Sequence, residues 1–175
     1  MVRLMIFLYA TSALLRAALT PEQLSTLQTV RDIARSVPDR GGETYENTLS
    51  AICLTESSAG RNIIGDFHKG VDITKASLGP MQVQVATARY VAARVEKLAW
   101  LNARSDMQIA NLLLTDLKLS AGIAAHYLVI LKNRRHDYMK SVSGYNGGMV
   151  NWPYFERVMN HMKLVKRLVA SGALR

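Results

Sequence analysis

The stretch Ala51-Ile52-Cys53-Leu54-Thr55-Glu56-Ser57-Ser58-Ala59-Gly60 runs from apolar side chains straight into a carboxylate. Tyr45, Leu49, Ile52, Cys53 and Glu56 are spaced by four, three, one and three residues, so Glu56 lies on the apolar stripe of a helix and faces inward. Two effects then raise its pKa: apolar surroundings oppose ionisation, and the last turn before Gly60 meets the negative end of the helix dipole. From a reference value of about 4.3 a glutamate so placed moves toward roughly 6, where it can serve as a general acid. The same position also suits a structural carboxylate paired with an arginine such as Arg61, because ion pairs perturb carboxylates too. This helix alone leaves both readings open.

Two further stretches bring polar groups to turns. In Ser77-Leu78-Gly79-Pro80-Met81-Gln82-Val83 a Gly-Pro turn stands directly before an expected helix whose first residues are Met81 and Gln82, presenting free N–H groups and an amide at one point. In Gly144-Tyr145-Asn146-Gly147-Gly148 a tyrosine and an asparagine sit between glycines that allow close approach of a ligand or another backbone. A second carboxylate for holding water is available in Asp66 or Asp72, although loop aspartates also serve as turn formers and caps. His68, His126, His136 and His161 show no paired ligand spacing, and Cys53 on an apolar face suits a small core residue. Gly147-Gly148 lacks the lysine and hydroxyl residue of a phosphate loop. No metal and no cofactor is implied.

The elements that must position these groups read as helices, with no sustained strand alternation. Thr20-Pro21-Glu22-Gln23 has the form of a capped helix start, and apolar residues from Leu24 to Val37 repeat at helical spacing up to Pro38. A second helix is expected to begin near Glu43, after Asp39-Arg40-Gly41-Gly42, and a third to span about Pro80 to Trp100. One long helix from Ser105 through Leu131 is apolar enough to be the central helix, followed by a short one around Asp137 to Val142 and a last one from Pro153. The expected class is all-α. With 175 residues and 49% apolar side chains, residues 21–175 form one domain with a substantial core. The segment 1–20, with Arg3 before the apolar run Leu4 to Leu15, fits either a signal or anchor or a helix that packs on a partner; it is short of the roughly 18 apolar residues that span a bilayer.

Taken in order, Glu56-Ser57, Gly79-Pro80-Met81-Gln82 and Gly144-Tyr145-Asn146-Gly147-Gly148 resemble the three signatures of the soluble lytic transglycosylases of the lysozyme-like superfamily. Residues 116–131 are similar to that family's central helix, and Tyr154-Phe155-Glu156-Arg157-Val158 to its closing motif, so the resemblance covers about residues 43–160. Pro80 stands where leucine is usual, and glycines flank Tyr145-Asn146 where alanines are usual. The resemblance implies a lysozyme-like helical fold and cleavage of the β-1,4 bond between N-acetylmuramic acid and N-acetylglucosamine in peptidoglycan, with a 1,6-anhydro product. It implies Glu56 as the single catalytic acid and base. Ser57, Gly79, Met81 and Gln82 would line the sugar subsite, Asn146 would bind an acetamido group, and Tyr145 would wall the groove. Tyr154 would hold the Glu56 carboxyl group, or be an ordinary buried tyrosine with a satisfied hydroxyl.

Other functions remain open to the sequence. Hydrolysis of the lysozyme type would need Asp66 or Asp72 as a second carboxylate. The net charge of +9 favours an anionic partner, and the clusters Lys132-Asn133-Arg134-Arg135-His136 and Lys163-Leu164-Val165-Lys166-Arg167 would allow nucleic-acid binding, but no aromatic residues interleave them as stacking platforms. A structural component that binds glycan without cutting it is a third reading. The expected setting is the periplasm or cell envelope, with secretion or conjugation machinery as partner, or a phage particle with virion proteins as partners.

Overall fold

A computed structural model describes residues 19–65 and 72–175. Helix α1, Pro21–Arg35, begins with the expected capping box: Gln23 N–H donates to Thr20 Oγ1 at 3.3 Å, and Thr20 N–H donates to Gln23 Oε1 at 2.9 Å. Its inner face buries Leu27, Val30 and Ala34. Arg31 is buried with them because both ends of its guanidinium are satisfied, by the Arg175 carbonyl at 2.9 Å and Asn47 Oδ1 at 2.7 Å. That bond ties the end of the chain to the first described helix.

Helix α2 is Glu46–Ser57 and starts three residues later than expected. The delay has a local cause, since Asp39 folds the preceding loop around its own carboxylate. Its Oδ1 accepts from the N–H groups of Gly41 and Glu43, and its Oδ2 accepts from the Tyr45 hydroxyl. Thr48 through Leu54 are buried, because α2 lies between α1 and the last helix.

After α2 the chain makes a two-stranded antiparallel hairpin, β1 Ile64–Gly65 with β2 Ser77–Leu78, in register Ile64 to Leu78 and Gly65 to Ser77. Strands of two residues carry no alternation, which is why the sequence pattern does not reveal them. The expected helix from Pro80 to Trp100 is two shorter pieces, α3 Val85–Ala92 and a 3-10 helix Glu96–Ala103. Residues 79–84 are instead consumed by a turn in which Val83 bridges back to Leu78 and Gln84 is extended.

The expected central helix is also broken. Helix α4 is Asp106–Thr115 and α5 is Leu117–Arg135, and they meet at an angle of 104°. Asp116 makes the corner: its backbone is extended, and its carboxylate accepts from Leu119 N–H at 2.9 Å as the N-cap of α5. The apolar pattern runs through the break because both helices are buried. Helix α5 packs against α1, α3, α4 and the short helix α6, Tyr138–Tyr145. Helix α7, Trp152–Ala170, closes the all-α architecture over α2. Among the described residues no single helix is long and apolar enough to cross a membrane. The hydrophobic segment of residues 1–20 lies, up to residue 18, outside the described residues.

Candidate functional site

A cleft of about 490 Å³ opens where the end of α2, the hairpin, the start of α3, α5 and the end of α6 converge. Glu56 lines it from the last turn of α2, half-buried as its place on the apolar stripe requires. The tyrosine at the start of α7 reaches it from the other side: the Tyr154 hydroxyl donates to Glu56 Oε1 at 2.7 Å. Burial and the Glu56 charge push the Tyr154 phenol far above its ordinary value, so it remains a donor at every working pH. The Arg157 guanidinium lies 5.7 Å from the centre of the same ring. Arg61, the alternative partner for Glu56, is exposed on the turn after α2.

Gln82, Tyr145 and Asn146 line the same cleft. Tyr145 ends α6 with its hydroxyl donating to the Met81 carbonyl at 2.9 Å, and its ring lies 5.7 Å from that of Tyr127. Burial, and then the Glu56 charge, push its phenol up as well. This bond joins the second and third sequence motifs. Gln82 has the left-handed φ of 48°, and its side-chain amide donates to the Gly79 carbonyl at 2.8 Å and to the Asn62 carbonyl at 3.3 Å. Asn146 is exposed at the rim, where Asn151 Nδ2 donates to its Oδ1 at 3.1 Å.

Three residues expected at the sugar subsite are buried and do not line the cleft. Ser57 does not line the cleft; it is 1% exposed, donating to the Pro80 carbonyl at 2.6 Å and accepting from Gly60 N–H at 2.7 Å. Its place one residue after Glu56 on the helix turns it toward the 79–82 turn, so its hydroxyl joins two motifs. Met81 is fully buried, and its carbonyl is taken by Tyr145. The turn is no helix N-terminus, because Gln82 N–H donates to the Gly79 carbonyl and Val83 N–H to the Leu78 carbonyl. Gly79 is also buried, with φ of 72°, and a Cβ there would overlap the Leu113 carbonyl oxygen. It is required by the close approach of two backbones.

Asp72 caps the 3-10 helix Ile73–Lys75 by accepting from Thr74 N–H at 3.0 Å, and that backbone bond holds its carboxyl below the usual range. Asp66 and His68 lie outside the described residues. Of the basic cluster, Arg134 donates to the Tyr90 hydroxyl at 2.6 Å and Arg135 to the Gly148 carbonyl at 2.9 Å, so both are engaged in holding the fold. Cys53 is fully buried, and burial pushes its thiol up to about 12.

Gln84, Thr87 and Tyr127 line the cleft unannounced by the sequence. Tyr127 falls on the apolar period of α5, where an aromatic reads as core. Asn151 carried a usable signal: an asparagine two residues before a proline at a helix start is an N-cap signature. Among the described residues no three His, Cys, Asp or Glu side chains gather as a metal site. No family model, curated protein or solved structure matches the chain.

Proposed function

We propose that this protein is a lytic transglycosylase of the lysozyme-like type, cleaving the β-1,4 bond between N-acetylmuramic acid and N-acetylglucosamine in peptidoglycan. The observation that carries this reading is the Glu56 carboxyl group, the one carboxyl lining the cleft among the described residues, held by the Tyr154 hydroxyl beside Gln82, Tyr145 and Asn146. The Tyr154 hydroxyl donates to Oε1 and steadies the carboxyl group that carries the acid proton. From there the proton passes to the glycosidic oxygen as the bond to the anomeric carbon breaks. The carboxylate then takes the proton of the muramic C6 hydroxyl, whose oxygen attacks the anomeric carbon and closes the 1,6-anhydro ring. Water is not consumed, and no second carboxylate is needed to hold one. Of the two carboxylates that hydrolysis would call on, Asp72 is engaged as a helix cap.

The net charge of +9 suits an anionic cell wall. The setting that follows is the cell envelope, where the enzyme would open the wall locally for secretion or conjugation machinery, or a phage particle that does so during genome entry. Mass spectrometry of muropeptides released from purified peptidoglycan tests the reaction. Products lighter by one water than lysozyme products, absent with Glu56→Gln, are expected; reducing-end products, or equal release by the variant, would overturn it.

A further inference from the structure

The start of α7 determines which atom Asn146 offers to the cleft. A backbone N–H is unambiguously a donor, so the Asn151 side-chain atom 3.1 Å from Tyr154 N must be the carbonyl oxygen. The other Asn151 atom is then the amide nitrogen, which donates to Asn146 at 3.1 Å. The Asn146 atom that accepts it must be Oδ1. What remains of the Asn146 amide for a ligand is its NH2 group. Each orientation follows from the one before, which removes the usual ambiguity of amide side chains. Ser143 adds to the rigidity by donating to the Asn151 backbone carbonyl at 3.4 Å.

We infer that Asn151 is a positioning residue that makes the Asn146 end of the cleft select a carbonyl acceptor, and thus an N-acetylated sugar over its deacetylated counterpart. The identification of the ligand as a glycan rests on the proposed function; the amide orientation does not. An acetamido carbonyl accepts from the Asn146 NH2 group, whereas the ammonium of a glucosamine residue needs an acceptor and meets a donor instead. Tyr154 unites the two ends of the site, since its N–H orients Asn151 and its hydroxyl holds Glu56.

The discriminating substitution is Asn151→Asp. Aspartate is as good an N-cap as asparagine, so the bond to Tyr154 N–H and the helix start survive. Its second oxygen only accepts, so Asn146 must turn over to donate to it, leaving Oδ1 toward the cleft. In a Glu56→Gln background, which prevents cutting, titration with N-acetylglucosamine oligomers is expected to show about a fivefold to tenfold loss of affinity on adding Asn151→Asp. Glucosamine oligomers are expected to lose nothing, and the melting temperature to be unchanged. Adding Asn151→Asp to Asn146→Ala should have no further effect. In parallel, the side-chain amide signals in NMR should show the Asn146 NH2 group exchanging fast with solvent in the parent and slowly in Asn151→Asp.

Equal affinity of parent and Asn151→Asp for the acetylated oligomer would overturn the selectivity, and an Asn146 NH2 group protected in the parent would overturn the orientation itself. Failure of the parent to bind either oligomer, with the amide signals as expected, would instead reject the glycan reading and leave the orientation standing.

Discussion

The Tyr154 hydroxyl donates to Glu56 Oε1 at 2.7 Å across 98 residues of chain, joining the last turn of α2 to the first turn of α7. Those two helices pack along much of their length, so the bond is held by the core and not by a loop. In the proposed reaction its value would lie in orientation, because the bond fixes the Glu56 carboxyl group relative to the cleft.

Tyr154→Phe should therefore keep the fold and lose rate. Phenylalanine fills the same buried space, and the lost bond to Glu56 is worth about 1–2 kcal/mol, or roughly fivefold to thirtyfold in the rate of wall cleavage. A turbidity assay on purified peptidoglycan, beside a melting curve, separates the two effects. An unchanged cleavage rate would show that the α2–α7 packing alone positions Glu56.

Ser57→Ala tests whether the second residue of the Glu-Ser pair serves the ligand or the fold. Its hydroxyl bonds inside the protein to Pro80 and Gly60, so the substitution should cost about 1–3 kcal/mol in urea unfolding. KM for peptidoglycan fragments should stay at the parent value at temperatures where the variant is folded. A raised KM with unchanged stability would return Ser57 to the sugar.

Much of this site was legible in the sequence, and the reasons are local. Glu56 is legible because helical spacing from Tyr45 dictates its face. The Thr20 and Ser105 capping boxes are legible because they depend on residues only three apart. The break at Asp116 is not, since the apolar period continues across it and the corner is made by one aspartate choosing the cap over the helix interior. The role of Ser57 is not either, because its partners Pro80 and Gly60 depend on how α2 ends in the left-handed turn at Ser58 and Ala59. Sequence spacing gives the face of a residue; the chain path gives what covers that face.

Gly79→Ala should be among the most damaging single changes. The residue holds φ of 72°, and the added methyl would enter the Leu113 carbonyl oxygen of α4, which is backbone and cannot swing aside. Strain of this kind costs about 1–3 kcal/mol before the clash is counted. Because the turn also carries the Met81 carbonyl that receives Tyr145, activity should fall with stability and not independently of it. Chemical denaturation followed by cleavage assays on the folded fraction checks this; a stable variant would mean that α4 can retreat from the turn.

Stability should also fall in mild acid, and the sign follows from the histidines. Burial, with the Lys97 charge added, lowers His126 from 6.5 to about 4, and its Nε2 is buried without a hydrogen-bond partner. His161, bonded to the Thr55 hydroxyl at 2.8 Å beside Glu56, is lowered by burial and by Arg157. A group whose folded pKa is depressed binds protons more readily when unfolded, so its contribution is fully present above the unfolded pKa and is lost as pH falls through the window from 6.5 to 4. One pKa unit corresponds to about 1.4 kcal/mol, and the partial exposure of His126 reduces its share to about 1–2 kcal/mol. Urea unfolding across that window should show the decline, and His126→Gln should flatten it. A slope identical in the variant would assign the acid sensitivity to His161 and the carboxylates instead.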